Sequence, residues 1–241
     1  MIPLFSIVTA TFNAREALMI TGVSLQAQEF RDFEWIVIDG DSHDGTPELI
    51  STLPGVDQWI CEPDEGIADA WNKGIARASG QQILLLNAGD TYSAEMLGVL
   101  AREVGPDHIT CSHTELCDLD GHSHGVFHAR PGKLWRGMHI PHNWAAVPAP
   151  MYERFGPYRK LRHSMDFEWF NRYYRACGVE GFHVVDKVLG SYLLGGHSDK
   201  NYFAGFRANR DIMMANGMPS LVASGVMYAY AVNHYLKHRL R

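Results

Sequence analysis

Four short apolar runs recur through the first ninety residues: LFSIVTAT (4–11), FEWIVID (33–39), DQWICE (57–62) and QQILLL (81–86). Each is short, rich in β-branched or aromatic residues and bounded by turn formers, which is how a buried strand reads. Helical segments fill the gaps between them. Asn13 is placed to N-cap a helix through Ala27, and Thr46, Pro47 and Glu48 open a second in cap-then-proline order. GIADAWNKGIARASG (66–80) makes a third, closed by Gly80, and SAEMLGVLAREV (93–104) a fourth. Near-continuous apolar strands alternating with helices predict an α/β fold with a mostly parallel central sheet, flanked by helices on both faces.

Ligands of such sheets bind beyond the carboxyl ends of the strands. The first strand brings Thr11 and Asn13 to that rim, and the second Asp39 and Asp41. The third brings Asp64 and Glu65, and the fourth, which runs into NAGD, brings Asn87 and Asp90. A single acid there is an ordinary turn residue; polar and acidic residues after four successive strands predict a site. Familiar phosphate sites are excluded. No GxGxxG follows the first strand and no GxxxxGK[ST] occurs, while DGDSHDG (39–45) has His43 and Gly45 out of place for an EF-hand calcium loop.

Composition narrows the class further. With 46% hydrophobic and 20% charged residues over 241 positions, the chain has the make-up of a globular domain with a substantial core. A net charge of −6 excludes a general nucleic-acid binder. The four cysteines form no CxxC pair, and MIPLFSIVTA lacks a charged leader region, so a cytoplasmic location is expected. LVASGVMYAYAV (221–232) falls short of the roughly 20 apolar residues of a spanning helix. With Lys237, Arg239 and Arg241 after it, two readings stand: an interfacial helix presenting Val222, Val226, Tyr230 and Leu236, or an ordinary helix packed on the domain. CSHTELCDLDGHSHGVFH (111–128) reads as a polar hairpin, since its cysteines and histidines lack zinc-finger spacing.

Seven segments in order, SIVTATFN (6–13), EWIVIDGDSHDGT (34–46), EPDEGIADAWNKGIARASG (62–80), ILLLNAGD (83–90), PHNW (141–144), SMDFEWFNR (164–172) and GGHS (195–198), resemble the inverting family 2 glycosyltransferases of GT-A fold. GIADAWNKGI is especially similar to enzymes of bacterial exopolysaccharide and colanic acid clusters. The resemblance implies a GT-A domain over 1–195 and a C-terminal helical tail over 196–241, packed on the domain or peripheral to membrane. It implies a UDP- or GDP-sugar donor, a glycan or lipid-linked acceptor, and a divalent Mg²⁺ or Mn²⁺. Asp90 matches the last acid of the family's DxD-like motif and is the expected metal ligand, although Asn87 replaces the first acid.

Asp39 matches the carboxylate that meets the donor base, with Thr9, Thr11 and Asn13 lining the same pocket. Asp64, Asn72, Lys73 and Asn87 are expected on the nucleotide-sugar. His142, Asn143 and His197 are expected on the acceptor side or on a closing loop. Asp166 matches the general base, and Glu168, about 200° around the helix, cannot share its direction. A contact with the inner face of the membrane and a homodimer are left open. The competing classes are a nucleotidyltransferase, which would want a basic glycine-rich loop after the first strand, and a degenerate relative that only binds nucleotide or glycan.

Overall fold

The computed structural model describes residues 2–195 and 202–239. Its parallel half holds the four runs as expected, in the spatial order β3 (Gln58–Cys61), β2 (Phe33–Asp39), β1 (Phe5–Thr11) and β4 (Gln82–Leu85). Beyond β4 the sheet becomes mixed. β8 (Ala145–Pro148) runs antiparallel to β4 and to β6 (Ile109–Cys117), and β9 (Phe182–Leu193) lies parallel to β6. The two-residue β5 (Thr91–Tyr92) closes that end against β9, and β7 (Ser123–Phe127) pairs with β6 as the expected hairpin.

Strand alternation sends successive side chains to opposite faces, so one sheet feeds two cores. Phe5 and Ile7 of β1 join Leu18 and Leu25 of α1 (Arg15–Gln26) on one face. Val8 and Ala10 join Ala68, Ala70 and Trp71 of α3 (Ile67–Ile75) on the other. That second packing requires Gly74, because a Cβ there would lie 2.2 Å from Val8 Cγ1.

Several expected boundaries move. Ala14, not Asn13, is the N-cap of α1, and Asn13 takes a positive φ of 47° with its amide oxygen accepting from the His43 N–H. Gly45 rather than Thr46 caps α2 (Thr46–Thr52). The helix expected over 66–80 ends at Ile75, and Gly80 instead passes so close to β1 that a Cβ would meet the Ser6 nitrogen at 2.6 Å. The helix expected over 93–104 shrinks to α4 (Met96–Leu100). Helical spacing marks a buried stripe but does not locate the last hydrogen bond.

After α5 (Ala149–Phe155) and α6 (Met165–Cys177), the tail forms α7 (Tyr202–Ala215) and α8 (Ser220–Arg239). It packs on the domain. The Tyr230 ring lies 3.7 Å from the Cβ position of Gly137 and hydrogen-bonds the His139 imidazole, and Ser164 Oγ donates to the Gly205 carbonyl at 3.3 Å. Val226 and Tyr230 therefore face inward, while Val222 is turned outward, so these three do not form one exposed face; the side chain of Leu236 lies outside the described residues.

His139 makes this docking pH-sensitive. Burial, with Arg136, Lys133 and Arg130 nearby, lowers its pKa from 6.5 to about 4. The unfolded chain then binds the extra proton first, so stability is complete above pH 6.5 and declines as pH falls toward 4. Solvent screening at this partly buried site discounts the full loss to roughly 1–3 kcal/mol. Replacing His139 by Gln, which does not titrate, should flatten that part of the stability–pH curve in thermal melts. A curve of unchanged slope would contradict the assignment.

Candidate active site

One residue expected at the sheet rim, Asn87, meets a residue that the sequence reading passed over. Trp71 of α3 is 2% exposed, and its indole N–H donates to Asn87 Oδ1 at 3.1 Å. Its ring stands edge-on to His142 and tilted against Tyr158, each at 5.2 Å between centroids. His142 in turn places Nδ1 3.7 Å from an Asp166 carboxylate oxygen. That separation is an electrostatic contact rather than a hydrogen bond. Burial lowers the His142 pKa against a weaker opposite pull from Asp166, which keeps the imidazole neutral at neutral pH, and its Nε2 is buried without a partner.

Asp166 opens α6, one residue after the Ser164–Met165 start. Ser164 holds the N-cap position with φ 60° but makes no capping bond, its hydroxyl being turned to Gly205. Asp166 keeps a quarter of its side chain exposed (24%) beside His142. Glu168 points elsewhere, as helix geometry requires, and is held by Arg172 at 2.9 Å and Arg159 at 3.3 Å.

The next residue along from His142 faces the other acid. The Asn143 amide donates to Asp90 Oδ2, and Asp90 Oδ1 accepts the Leu193 N–H at 3.0 Å. Tyr92 donates to the Asn143 carbonyl at 2.7 Å, and Asn143 Oδ1 is buried without a partner. Asp90 is 4% exposed. Its carboxylate supplies hard oxygen ligands, whereas the Asn87 amide oxygen is committed to Trp71. This donor set fits a divalent cation held by one carboxylate together with phosphate oxygens of a bound ligand, a common arrangement for Mg²⁺, and does not make an all-protein cage.

At the end of β2, Asp39 is fully buried. It accepts from the Ser42 N–H at 2.9 Å, the Ser42 hydroxyl at 2.6 Å and the Cys61 thiol at 3.0 Å, the last raising the Cys61 pKa to about 11. Gly40 leaves room for Asp64, whose Oδ2 would lie 2.7 Å from a Cβ there. Thr11 ends β1 with a buried, unpartnered hydroxyl.

Three expected donor contacts are placed otherwise. Thr9 points into the core and accepts the Trp35 indole N–H at 2.9 Å, because its parity on β1 matches Phe5 and Ile7. Asn72 is stapled to the Tyr158 backbone, donating at 2.8 Å and accepting at 2.9 Å. Lys73 is paired with Glu62 at 2.8 Å and Asp69 at 3.3 Å, so its charge is answered within the protein. His197 lies outside the described residues. In the hairpin, the one cluster of metal-ligating groups among the described residues is Asp118, Asp120 and His122, with no cysteine.

The model of the family described as "Glycosyl transferase family 2" matches residues 6–175, which run from Ser6 in β1 through most of α6 and include Trp71, Asn87, Asp90, His142, Asn143 and Asp166. The chain belongs to glycosyl transferase family 2. Among curated family members it is 42% identical over 93 residues to an uncharacterised glycosyltransferase of Mycobacterium tuberculosis, covering 38% of this chain and 36% of that one. It is 31% identical over 99 residues to a putative teichuronic acid biosynthesis glycosyltransferase of Bacillus subtilis, covering 39% of each. The matched stretch thus spans well under half of these relatives' own length. Among solved structures, S. aureus TarS 1–349 in complex with UDP-GlcNAc superposes with a TM-score of 0.67 at 14% identity, covering 96% of this chain and 72% of that one. A mannosyltransferase from Pyrobaculum calidifontis, in complex with GDP-Man and Mn²⁺, superposes at 0.65 with 15% identity, covering 95% and 69%. The fold of this family 2 member is therefore GT-A, with Asn87 and Asp90 following β4, His142 and Asn143 preceding β8, and Asp166 in the first turn of α6.

Proposed function

We propose that this chain transfers one sugar from a nucleotide-sugar donor to a hydroxyl of a polysaccharide, glycolipid or lipid-linked oligosaccharide, with inversion at the anomeric carbon. The observation that carries the reading is the dipeptide His142–Asn143, one side chain of which meets Asp166 and the next Asp90. An acid suited to take a proton and an acid suited to the leaving-group side are thereby tied to one short segment.

In this reading the acceptor oxygen attacks the anomeric carbon as the bond to the nucleoside diphosphate breaks. The hydroxyl proton passes to the Asp166 carboxylate, and the leaving diphosphate takes the bonding electron pair. Neutral His142 and the Trp71 face orient Asp166 and exclude water from one side of it. A divalent cation, when bound, supplies positive charge for the departing diphosphate, and Asp90 would hold it. Asp39, Asp64, Thr11, Asn13 and Asn87 line the donor end of the rim. The Mn²⁺ of the mannosyltransferase and the UDP-GlcNAc of TarS support a metal-assisted nucleotide-sugar site of this kind, and the teichuronic acid relative supports a polysaccharide acceptor.

Calorimetric titration with UDP-, GDP- and dTDP-sugars, each with and without Mn²⁺, tests the reading. One donor should bind, and more tightly with the metal. Binding of none would overturn it. Donor binding without turnover on any acceptor would favour the degenerate relative, to which the Asn87–Trp71 bond and the paired Lys73 lend support.

A further inference from the structure

Helix α8 has an inward face packed on the domain and, among the described residues, an outward face that is exposed. Ala223 is fully buried, and Val226 packs with it against the domain. On the other side Leu221 is 89%, Tyr228 64%, Val232 55% and Val222 48% exposed. Leu221, Gly225, Tyr228 and Val232 repeat at intervals of four, three and four and so share one face, and residues 220–232 contain no charged side chain. The solvent face of a helix on a globular domain is ordinarily polar or charged; this one is apolar from Leu221 to Val232.

The adjoining surface is both apolar and cationic. Phe203, Phe206, Arg207, Arg210, Met227 and Tyr228, with Ala231, line a cleft of about 340 Å³ between α7 and α8. Phe203 is 55% exposed, and Arg207 is exposed. Charge is segregated in the same way along the chain. Residues 196–241 carry six Lys and Arg against two Asp and no Glu, while residues 1–195 carry 15 against 25. The tail is thus a basic unit on an acidic domain.

We propose that the outer face of α8 and the arginine-lined cleft beside it dock this chain on a membrane surface containing anionic lipid. The charge pattern selects this occupant over a second copy. Two copies joined through α8 would bring like-charged tails together, whereas anionic headgroups would neutralise them. In this pose Leu221, Val222 and Val232 enter the acyl boundary, Tyr228 lies at headgroup depth, and Arg207 reaches the phosphates. No helix among the described residues is long and apolar enough to cross a membrane, so the contact is interfacial. The Ser164–Gly205 bond joins α7 to the start of α6, which places the docked face on elements next to Asp166 and suits an acceptor carried on lipid. The docking itself does not depend on the proposed transfer.

The test is flotation of the full chain with phosphatidylcholine vesicles, with and without phosphatidylglycerol, at low and high salt. Two variants accompany it, the double change Leu221→Glu with Val232→Glu, and Arg207→Gln. The wild type should float with the anionic vesicles only, and high salt should weaken it. The double variant should lose about tenfold in the bound fraction while its melting temperature and donor binding stay unchanged; Arg207→Gln should lose less. Failure of the wild type to float with anionic vesicles overturns the proposal, as does undiminished flotation of the double variant. A concentration-dependent dimer that the double variant abolishes, without flotation, overturns it in favour of a second copy.

Discussion

Asp166→Asn is expected to lower the transfer rate by about 10²- to 10⁴-fold, the usual worth of a positioned general base, with donor affinity unchanged. The substitution is nearly isosteric, so the edge-on packing of His142 on Trp71 has no reason to change. The loss is chemical: an amide cannot take the acceptor's proton. Helix α6 should not suffer, because Asp166 makes no cap and its first turn retains the buried Glu168 with its Arg172 and Arg159 partners. Single-turnover transfer, paired with calorimetric donor binding, separates the two effects. Transfer at the wild-type rate would remove Asp166 from the mechanism, and a parallel loss of donor binding would make it a structural residue.

The second large effect is expected at Asp90, where stability and binding both respond. Asp90→Ala removes the acceptor for the Asn143 amide and for the Leu193 N–H. Two donors left unpaired in a site 4% exposed cost about 2–4 kcal/mol. For a chain of this size that lowers Tm by about 10 °C. Any strengthening of donor binding by Mn²⁺ should vanish as well. Asn143→Ala provides the comparison, since it disturbs the same strap while leaving the carboxylate in place. It should lose stability and retain the metal effect. A metal effect that survives Asp90→Ala would mean that Asp90 only ties the end of β4 to β9.

How much of this was legible beforehand differs from residue to residue. The end of β2 was readable because strand parity and turn chemistry are local: Asp39 had to stand at the strand tip, next to a glycine. Its commitments to Ser42 and Cys61 were not readable, since Cys61 arrives on a neighbouring strand 22 positions later. Thr9 shows the limit of proximity in sequence. It lies two residues from Thr11 and shares its parity, yet its hydroxyl is taken by Trp35 inside the core. Trp71 gave one signal that could have been used: a tryptophan at the middle of a short helix that follows a rim loop. Lys73 offered a charge suited to phosphate, and two acids within the protein claimed it.

The sequence by itself determined the alternating α/β order, the four parallel strands and the rim on which Asp39, Asp64, Asn87 and Asp90 stand, because strand period, helix period and turn residues are short-range properties. The tertiary structure alone decided which rim residues work together. His142 and Asn143 lie about fifty residues from Asp90, and Asp166 farther still; only the mixed half of the sheet, folding back beside β4, brings them to one place. It also decided which face of α8 is spent on the domain and which is left bare, because the uncharged stretch 220–232 carries no internal mark of where its partner will be.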